Sequence, residues 1–262
     1  MGEATFTVGV LICDHVDPER LAANRGRDTA ELYHDFLTGA DPSLRTRAYD
    51  AINGELPERV DECDGWIITG ARHDAYRDDH WIVELRRFLV LLVQAGRRTV
   101  GICFGHQIVA QALGGRVEPV GRWKAGPHAM DVTRTPWFPG GAVDLHAMHR
   151  DEVVELPPGA SPVATGETAD VPAYLVGDTV FCVQDHPEFS DDYVRALINA
   201  RRERIGPEDA QSFLDRIDRI TCDGDLLATW IVRFLRDERV SDDGSPGDRA
   251  DNDRGSACWV CS

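Results

Sequence analysis

The chain has 262 residues, and its 45 acidic residues outnumber its 28 basic ones, which gives a formal net charge of −17. A surface with this charge repels the phosphates of nucleic acids and of anionic membranes, which argues against both as partners. The sequence has no window of about 18 apolar residues and no basic start followed by an apolar core, so we expect a cytoplasmic protein without a membrane span.

Strand-like runs alternate with helical patterns along the chain. The predicted strands are residues 7–12, 65–69, 99–102 and 180–184. Before the third strand, apolar residues between Trp81 and Leu92 recur at helical spacing, which predicts a helix packed on the sheet. This alternation predicts an α/β fold with a mostly parallel central sheet.

The second half of the chain predicts additions to this sheet. Residues 129–133 and 152–156 indicate short antiparallel strands that cover one side of the pocket. Two helices, residues 207–220 and 225–236, then close a domain of residues 1–240. Residues 241–262 are rich in Ser, Asp, Gly and Pro, so we predict a disordered acidic tail there.

The segment from Thr99 to Gln107 predicts a strand that turns sharply into a helix, with Cys103 at the turn. Glycines at 101 and 105 give the thiol version of the G-x-S-x-G nucleophile elbow. A thiol at a helix N-terminus feels the positive end of the helix dipole, which favours the thiolate. A small buried apolar residue is the other interpretation of this pattern taken alone, since free cysteines are often buried.

A second segment favours the nucleophile. His186 and Glu188 follow the predicted strand at residues 180–184 and are two positions apart. In an extended segment such residues point the same way, so the Glu188 carboxylate can orient the imidazole that deprotonates Cys103. Together the three residues form a candidate Cys-His-Glu triad.

These segments resemble the class I glutamine amidotransferases, which carry a G-x-C-x-G-x-Q elbow and a later H-P-E motif. Residues 101–115 and 121–123 look most like the free-standing branch related to the GMP synthase glutaminase and to plant gamma-glutamyl peptidases. Residues 64–70, 76–82 and 148–157 are also similar to the family. The resemblance implies a flavodoxin-like three-layer sandwich with a small antiparallel addition.

The resemblance also implies roles for single residues. Cys103 would attack a gamma-carbonyl, His186 would act as base and then acid, and Glu188 would orient the imidazole. The backbone N–H groups of Gly70 and Phe104 would form the oxyanion hole. Substrate contacts are implied for three further residues on the pocket wall: Gln107, His149 and Asp151.

Two positions depart from the family pattern. Asp185 stands where many relatives have glycine, and if its carboxylate is near the imidazole it raises the pKa of His186. Residues 71–74 replace a turn that contains serine in many relatives. The second change affects how the amino-acid end of a substrate is held, so the substrate need not be free glutamine.

Three functions remain open. One is cysteine-dependent hydrolysis of a gamma-glutamyl amide bond through a thioester, on a gamma-glutamyl peptide, a conjugate or glutamine. Another is a glutaminase subunit that delivers ammonia to a separate synthetase, because the chain has no G-x-x-x-x-G-K phosphate loop of its own. The third, a catalytically silent binding subunit, is disfavoured by the intact triad.

Cofactors and metals are not predicted. Hydrolysis through a cysteine thioester needs no cofactor. Cys258 and Cys261 form a C-x-x-C pair without His or Cys ligands in the preceding 35 or so residues, and the histidines show no H-x-x-x-H spacing, so we predict no metal site. Cys13 and Cys182 lie in strand-like runs and are predicted to be buried thiols.

Overall fold

The computed structural model describes residues 5–240. Its strands, numbered along the chain, are β1 (Thr7–Leu11), β2 (Arg45–Tyr49), β3 (Gly65–Ile68), β4 (Arg98–Ile102), β5 (Arg116–Val132), β6 (Gly141–Glu155), β7 (Ala160–Pro162), β8 (Ala164–Gly166), β9 (Ala173–Val176) and β10 (Val180–Val183). Its α-helices are α1 (Thr29–Ala40), α2 (His80–Gln94), α3 (Phe104–Ala112), α4 (Asp191–Ala200), α5 (Arg202–Ile205), α6 (Pro207–Ile217) and α7 (Gly224–Arg236). Short 3₁₀ turns occur at Pro18–Arg20 and Ala51–Asn53.

Seven strands form the central sheet, in the order β2-β1-β3-β4-β10-β9-β7. The first five of these pair in parallel, whereas β9 and β7 extend the sheet in antiparallel fashion. The carboxyl ends of β3, β4 and β10 are therefore neighbours at one edge of the sheet. Each of these strands is followed by a predicted site residue, which brings distant parts of the sequence together.

Helices cover both faces of this sheet, because alternate residues of β3 belong to core clusters on opposite faces. Trp66 and Ile68 belong to a core cluster with α2 and α3, whereas Ile67 belongs to a cluster on the opposite face with α1 and α7. Because both faces are covered, all four residues of β3 are buried. The predicted three-layer α/β sandwich is confirmed.

The helix expected before the nucleophile strand is α2. Its buried stripe consists of Ile82, Leu85, Phe88, Leu89 and Leu92, at the predicted helical spacing. Burying an aliphatic or aromatic side chain of this kind contributes about 1.5–3 kcal/mol. This stripe fixes α2 against the sheet beside the elbow.

The prediction of short antiparallel strands was wrong in length. β5 has 17 residues and β6 has 15, and they pair along most of that length before β8 completes a second, three-stranded sheet. A register shift between Pro119 and Lys124 and a positive φ of 76° at Gly126 interrupt the local pattern. Cross-strand pairing carries the strands through these interruptions.

Seven elements were not predicted: β2, β7, β8, β9, α1, α4 and α5. Helix α1 has a capping box, in which the N–H of Asp28 donates to a Glu31 carboxylate oxygen at 3.0 Å. The side chain of Ser190 caps α4.

The predicted tail at 241–262, including Cys258 and Cys261, lies outside the described residues. Within residues 5–240, the helices are all too short or too polar to cross a membrane.

Candidate active site

Cys103 lies at the sharp turn between β4 and α3. Its φ of 52° and ψ of −100° are a conformation that costs a non-glycine residue about 1–3 kcal/mol. The two elbow glycines explain how the turn closes: a Cβ at Gly101 would stand 2.5 Å from the Gly105 carbonyl oxygen, and one at Gly105 would stand 2.4 Å from that of Ile68. The predicted elbow is therefore present, with a backbone that only glycine permits.

His186 and Glu188 lie just beyond β10 and face the same cleft as Cys103. His186 Nδ1 is 2.8 Å from Glu188 Oε1, and both side chains are buried. The backbone N–H of His186 donates to the backbone carbonyl of His146 at 2.8 Å. The imidazole stacks on Phe189 with ring centroids 3.9 Å apart. The His186 side chain is thus fixed by the hydrogen bond of its own backbone, by the Glu188 carboxylate and by stacking on Phe189.

The charge state of His186 follows from these neighbours. Burial alone would lower its pKa, because a charged imidazolium is poorly solvated there. The negative charges of Cys103 and Glu188 outweigh burial and raise the pKa of His186 to about 10. The imidazole of His186 therefore holds its proton more firmly than a free histidine does.

Tyr33 on α1 is a site residue that the sequence interpretation missed. Its buried hydroxyl donates to Glu188 Oε1 at 2.9 Å, the same oxygen that faces His186, and accepts a hydrogen bond from the Gly70 N–H at 3.3 Å. Burial and the Glu188 carboxylate raise the pKa of Tyr33, so the hydroxyl keeps its proton. Tyr33 therefore joins the Glu188 carboxylate to the loop that follows β3.

The two N–H groups expected to bind an oxyanion differ in their surroundings. Phe104 is the first residue of α3, where helix geometry leaves the N–H without an intrahelical partner. The Gly70 N–H instead donates to Tyr33, and a Cβ at Gly70 would stand 2.7 Å from Cε1 of His186. Gly70 is thus close to the imidazole, and its N–H has to leave Tyr33 before it can bind an oxyanion.

The three predicted substrate contacts also line the cleft. Gln107 is buried, and its amide nitrogen donates to the Asp151 carbonyl at 2.8 Å and to Gln184 Oε1 at 3.2 Å. The Tyr76 hydroxyl donates to the Asp151 carboxylate at 3.3 Å, and burial together with Asp74 raises the pKa of Asp151. These bonds tie α3 to β6 along one wall.

Asp185 does not act on His186 in the way the sequence suggested. Its carboxylate accepts a hydrogen bond from Thr168 at 3.0 Å and lies 3.4 Å from Nε2 of His149. All three side chains are buried. The Asp185 carboxylate thus contacts Thr168 and His149, and the pKa of His186 is raised by Cys103 and Glu188.

The cleft itself has a volume of about 370 Å³. Its lining includes Gln107, His149 and Asp151, together with residues of α4, α5 and the 3₁₀ turn at Pro18–Arg20. The size is in the range of small-molecule sites. Cys103 lies in it beside His186.

Comparison with known proteins connects this geometry to a family. The family model described as glutamine amidotransferase class-I matches residues 48–195, more than half of the chain and a segment that contains Cys103, His186 and Glu188. This chain belongs to that family. The resemblance of the elbow and the H-P-E motif is thereby confirmed at the level of the family.

The relatives of this class I amidotransferase domain include proteins named gamma-glutamyl peptidase and proteins named GMP synthase. Gamma-glutamyl peptidase 4 from Arabidopsis thaliana is 31% identical over 183 residues, which are 64% of this chain and 72% of that protein. The glutamine-hydrolysing GMP synthase of Thermotoga maritima is 31% identical over 140 residues, which are 50% of this chain and 26% of that protein. The crystal structure of a glutamine amidotransferase from Methylobacillus flagellatus shares the fold, with a TM-score of 0.70 at 19% identity over 89% of this chain and 95% of that one.

Cys13 and Cys182 are fully buried in the class I domain, and burial raises the pKa of Cys182 to about 12. The predicted buried thiols are confirmed. Residues 5–240 contain no group of three or more His, Cys, Asp or Glu side chains arranged to hold a metal ion.

Proposed function

We propose that this chain hydrolyses a gamma-glutamyl amide bond through a gamma-glutamyl thioester on Cys103. The observation that carries the proposal is the strained elbow, which presents the thiol in a cleft shared with the paired His186 and Glu188. A thiolate is a stronger nucleophile than a thiol, and His186 lies in the same cleft as the base that can form it. We assign the domain to residues 1–240, with no cofactor.

The proposed reaction has two steps. Cys103 Sγ attacks the gamma-carbonyl carbon, the N–H groups of Phe104 and Gly70 bind the oxyanion, and His186 gives its proton to the leaving amine as the C–N bond breaks. Water, deprotonated by His186, then attacks the thioester, and glutamate leaves as the thiolate re-forms. Each oxyanion donor of this kind contributes about 10²- to 10³-fold in rate.

A gamma-glutamyl peptide or conjugate is the favoured substrate. The leaving group of glutamine is a single nitrogen, whereas the cleft of about 370 Å³ is lined by α4 and α5 as well as by Cys103 and can hold a larger amine. Similarity to proteins named gamma-glutamyl peptidase supports the same substrate class.

Five free thiols among the described residues fit the proposed cytoplasmic location, since disulfides are rare there.

The second candidate is a glutaminase that supplies ammonia to a separate synthetase. Similarity to the glutamine-hydrolysing part of the GMP synthase family favours it. In that case Cys103 and His186 do the same chemistry, and the acceptor of the ammonia lies on another protein.

Substrate choice separates the two candidates. The purified chain is incubated with glutamine and with a gamma-glutamyl tripeptide such as glutathione, and released glutamate, ammonia and amine are measured. We expect glutamate and the dipeptide from the tripeptide. Ammonia from glutamine alone would favour the glutaminase, and no glutamate from either substrate would contradict the proposed hydrolysis.

The raised pKa of His186 predicts the alkaline side of the pH profile. Because the imidazolium is lost only as pH rises through its pKa of about 10, kcat/KM should hold to well above neutral pH and then fall. Glu188→Gln removes a negative charge that raises this pKa, so the fall should move to lower pH by about 1–3 units.

The measurement is kcat/KM against pH for the chain and for two variants. Glu155→Gln, an exposed change on β6, is the matched control and should leave the profile in place. An alkaline limb at the same pH in Glu188→Gln would contradict the assignment of this titration to His186.

A further inference from the structure

Four arginines that lie near one another line the cleft. Arg20 comes from the turn before α1, Arg72 follows β3, Arg201 joins α4 to α5, and Arg204 lies in α5. The chain as a whole carries a net charge of −17 with only 28 basic residues. This concentration of arginines in one part of the cleft is therefore a local feature that the composition does not explain.

Two of these arginines are neutralised within the protein. Arg72 Nε lies 2.8 Å from Asp14 Oδ2, and Arg72 Nη1 lies 2.9 Å from Asp17 Oδ1. Arg20 also forms an ion pair with Asp17. Two carboxylates thus balance two guanidinium groups on this side of the cleft.

Arg201 and Arg204 have no carboxylate partner among residues 5–240. Their guanidinium carbons lie 6.0 Å and 5.6 Å from the centre of the Trp123 ring, which also lines the cleft. Nη1 of Arg201 is buried and makes no hydrogen bond within the described part of the chain. A buried donor left unsatisfied on a charged group is unfavourable unless a ligand supplies the acceptor.

The electrostatic surroundings of Arg201 agree with this geometry. Burial lowers its pKa, and the positive charges of Arg20, Arg72 and Arg204 lower it further. Contact with Trp123 is the purely structural explanation for Arg201, but it leaves the buried Nη1 without an acceptor. An anion between Arg201 and Arg204 would supply the acceptor and relieve the repulsion between the arginines.

We propose that Arg201 and Arg204, beside Arg20 and Arg72, form a subsite that binds a carboxylate of the gamma-glutamyl substrate. This inference rests on the proposed function. A planar guanidinium pairs with a carboxylate through two parallel hydrogen bonds, which gives orientation as well as affinity. The carboxylate has two possible sources: the α-carboxylate of the glutamyl half, or the terminal carboxylate of the amine half.

The test uses Arg201→Gln and Arg204→Gln, with Arg202→Gln as the matched control. Arg202 is the neighbouring arginine, but it bonds Gln211 at 3.1 Å and does not line the cleft. The substrates are glutathione, its form with a glutamyl α-carboxamide and its form with a terminal glycinamide. The readouts are KM, kcat and the melting temperature of each variant.

We expect each cleft variant to raise KM for glutathione by about 10- to 100-fold, as loss of a charge-assisted hydrogen bond predicts, while Arg202→Gln leaves it unchanged. With one of the two carboxamide substrates, Arg201→Gln and Arg204→Gln should no longer change KM. The carboxylate that this substrate lacks is the one that the arginines bind. Equal losses on all three substrates, or no loss on any of them, would overturn the subsite.

A binding measurement tests the subsite without any turnover. Calorimetry with glutathione on Cys103→Ala, with and without Arg201→Gln, measures the same contact in a chain that cannot react. Weaker binding in the double variant supports the subsite even if the intact protein releases no glutamate, in which case the proposed hydrolysis alone fails. Equal binding in both chains overturns the subsite.

Discussion

Replacing Cys103 by alanine is expected to lower the rate of glutamate release by at least about 10⁴-fold, because no other group in the cleft can form the thioester. Cys103→Ser should be nearly as inactive. A serine hydroxyl has a far higher pKa than a thiol, and His186 with its raised pKa favours a thiolate partner rather than a neutral hydroxyl.

The rate is measured with the gamma-glutamyl tripeptide, and the thioester is sought by mass spectrometry of the intact chain after rapid quenching. Cys222→Ala is the control, since burial raises the pKa of that thiol to about 12 and it does not line the cleft of Cys103. Retained turnover in Cys103→Ala would exclude this residue as the nucleophile.

Gly105→Ala, a substitution of one of the two elbow glycines, is expected to have a large effect on stability. The added Cβ would stand 2.4 Å from the carbonyl oxygen of Ile68 and 3.1 Å from its Cβ. Both α3 and β3 are held by buried contacts, so the backbone cannot move apart without loss of packing. We expect a loss of more than about 4 kcal/mol in the free energy of unfolding, or no folded protein.

Denaturation in guanidinium chloride, followed by circular dichroism, measures this change. Gly39→Ala is the matched control, since Gly39 lies in α1 with nothing within 4 Å of the added Cβ. Alanine there should stabilise the chain by about 0.5–1 kcal/mol, because glycine is a poor helix former. A Gly105→Ala protein as stable as the control would show that the elbow can relax around a side chain.

Short-range sequence patterns predicted most of the central strands and the candidate site residues that follow them. The elbow around Cys103 and the H-x-E pair are defined by spacings of two residues, and the apolar stripe of α2 by spacings of three and four. Such patterns are visible in sequence because neighbouring residues share a strand or a helix face. The same reasoning missed β2, whose residues are mostly exposed and show no apolar pattern.

The hairpin of β5 and β6 shows the opposite case. Its local sequence is interrupted by Gly126 and by Pro127, so only fragments of it were predicted. Pairing such as that of His128 with Leu145 holds the strands together across these interruptions. The length of the hairpin is thus a property of two segments together, and neither segment reveals it alone.

What the sequence by itself determined is the fold class, the family, and the identity of Cys103, His186 and Glu188 as the candidate triad. Only the tertiary structure decided that Tyr33 bonds Glu188 from 155 positions away, that Asp185 faces His149, and that Arg201 meets Arg20 in one cleft. The physical reason is that a motif records chemistry between near neighbours in the chain. Contacts between side chains on separate elements exist only after the parallel sheet has brought the ends of its strands to one edge.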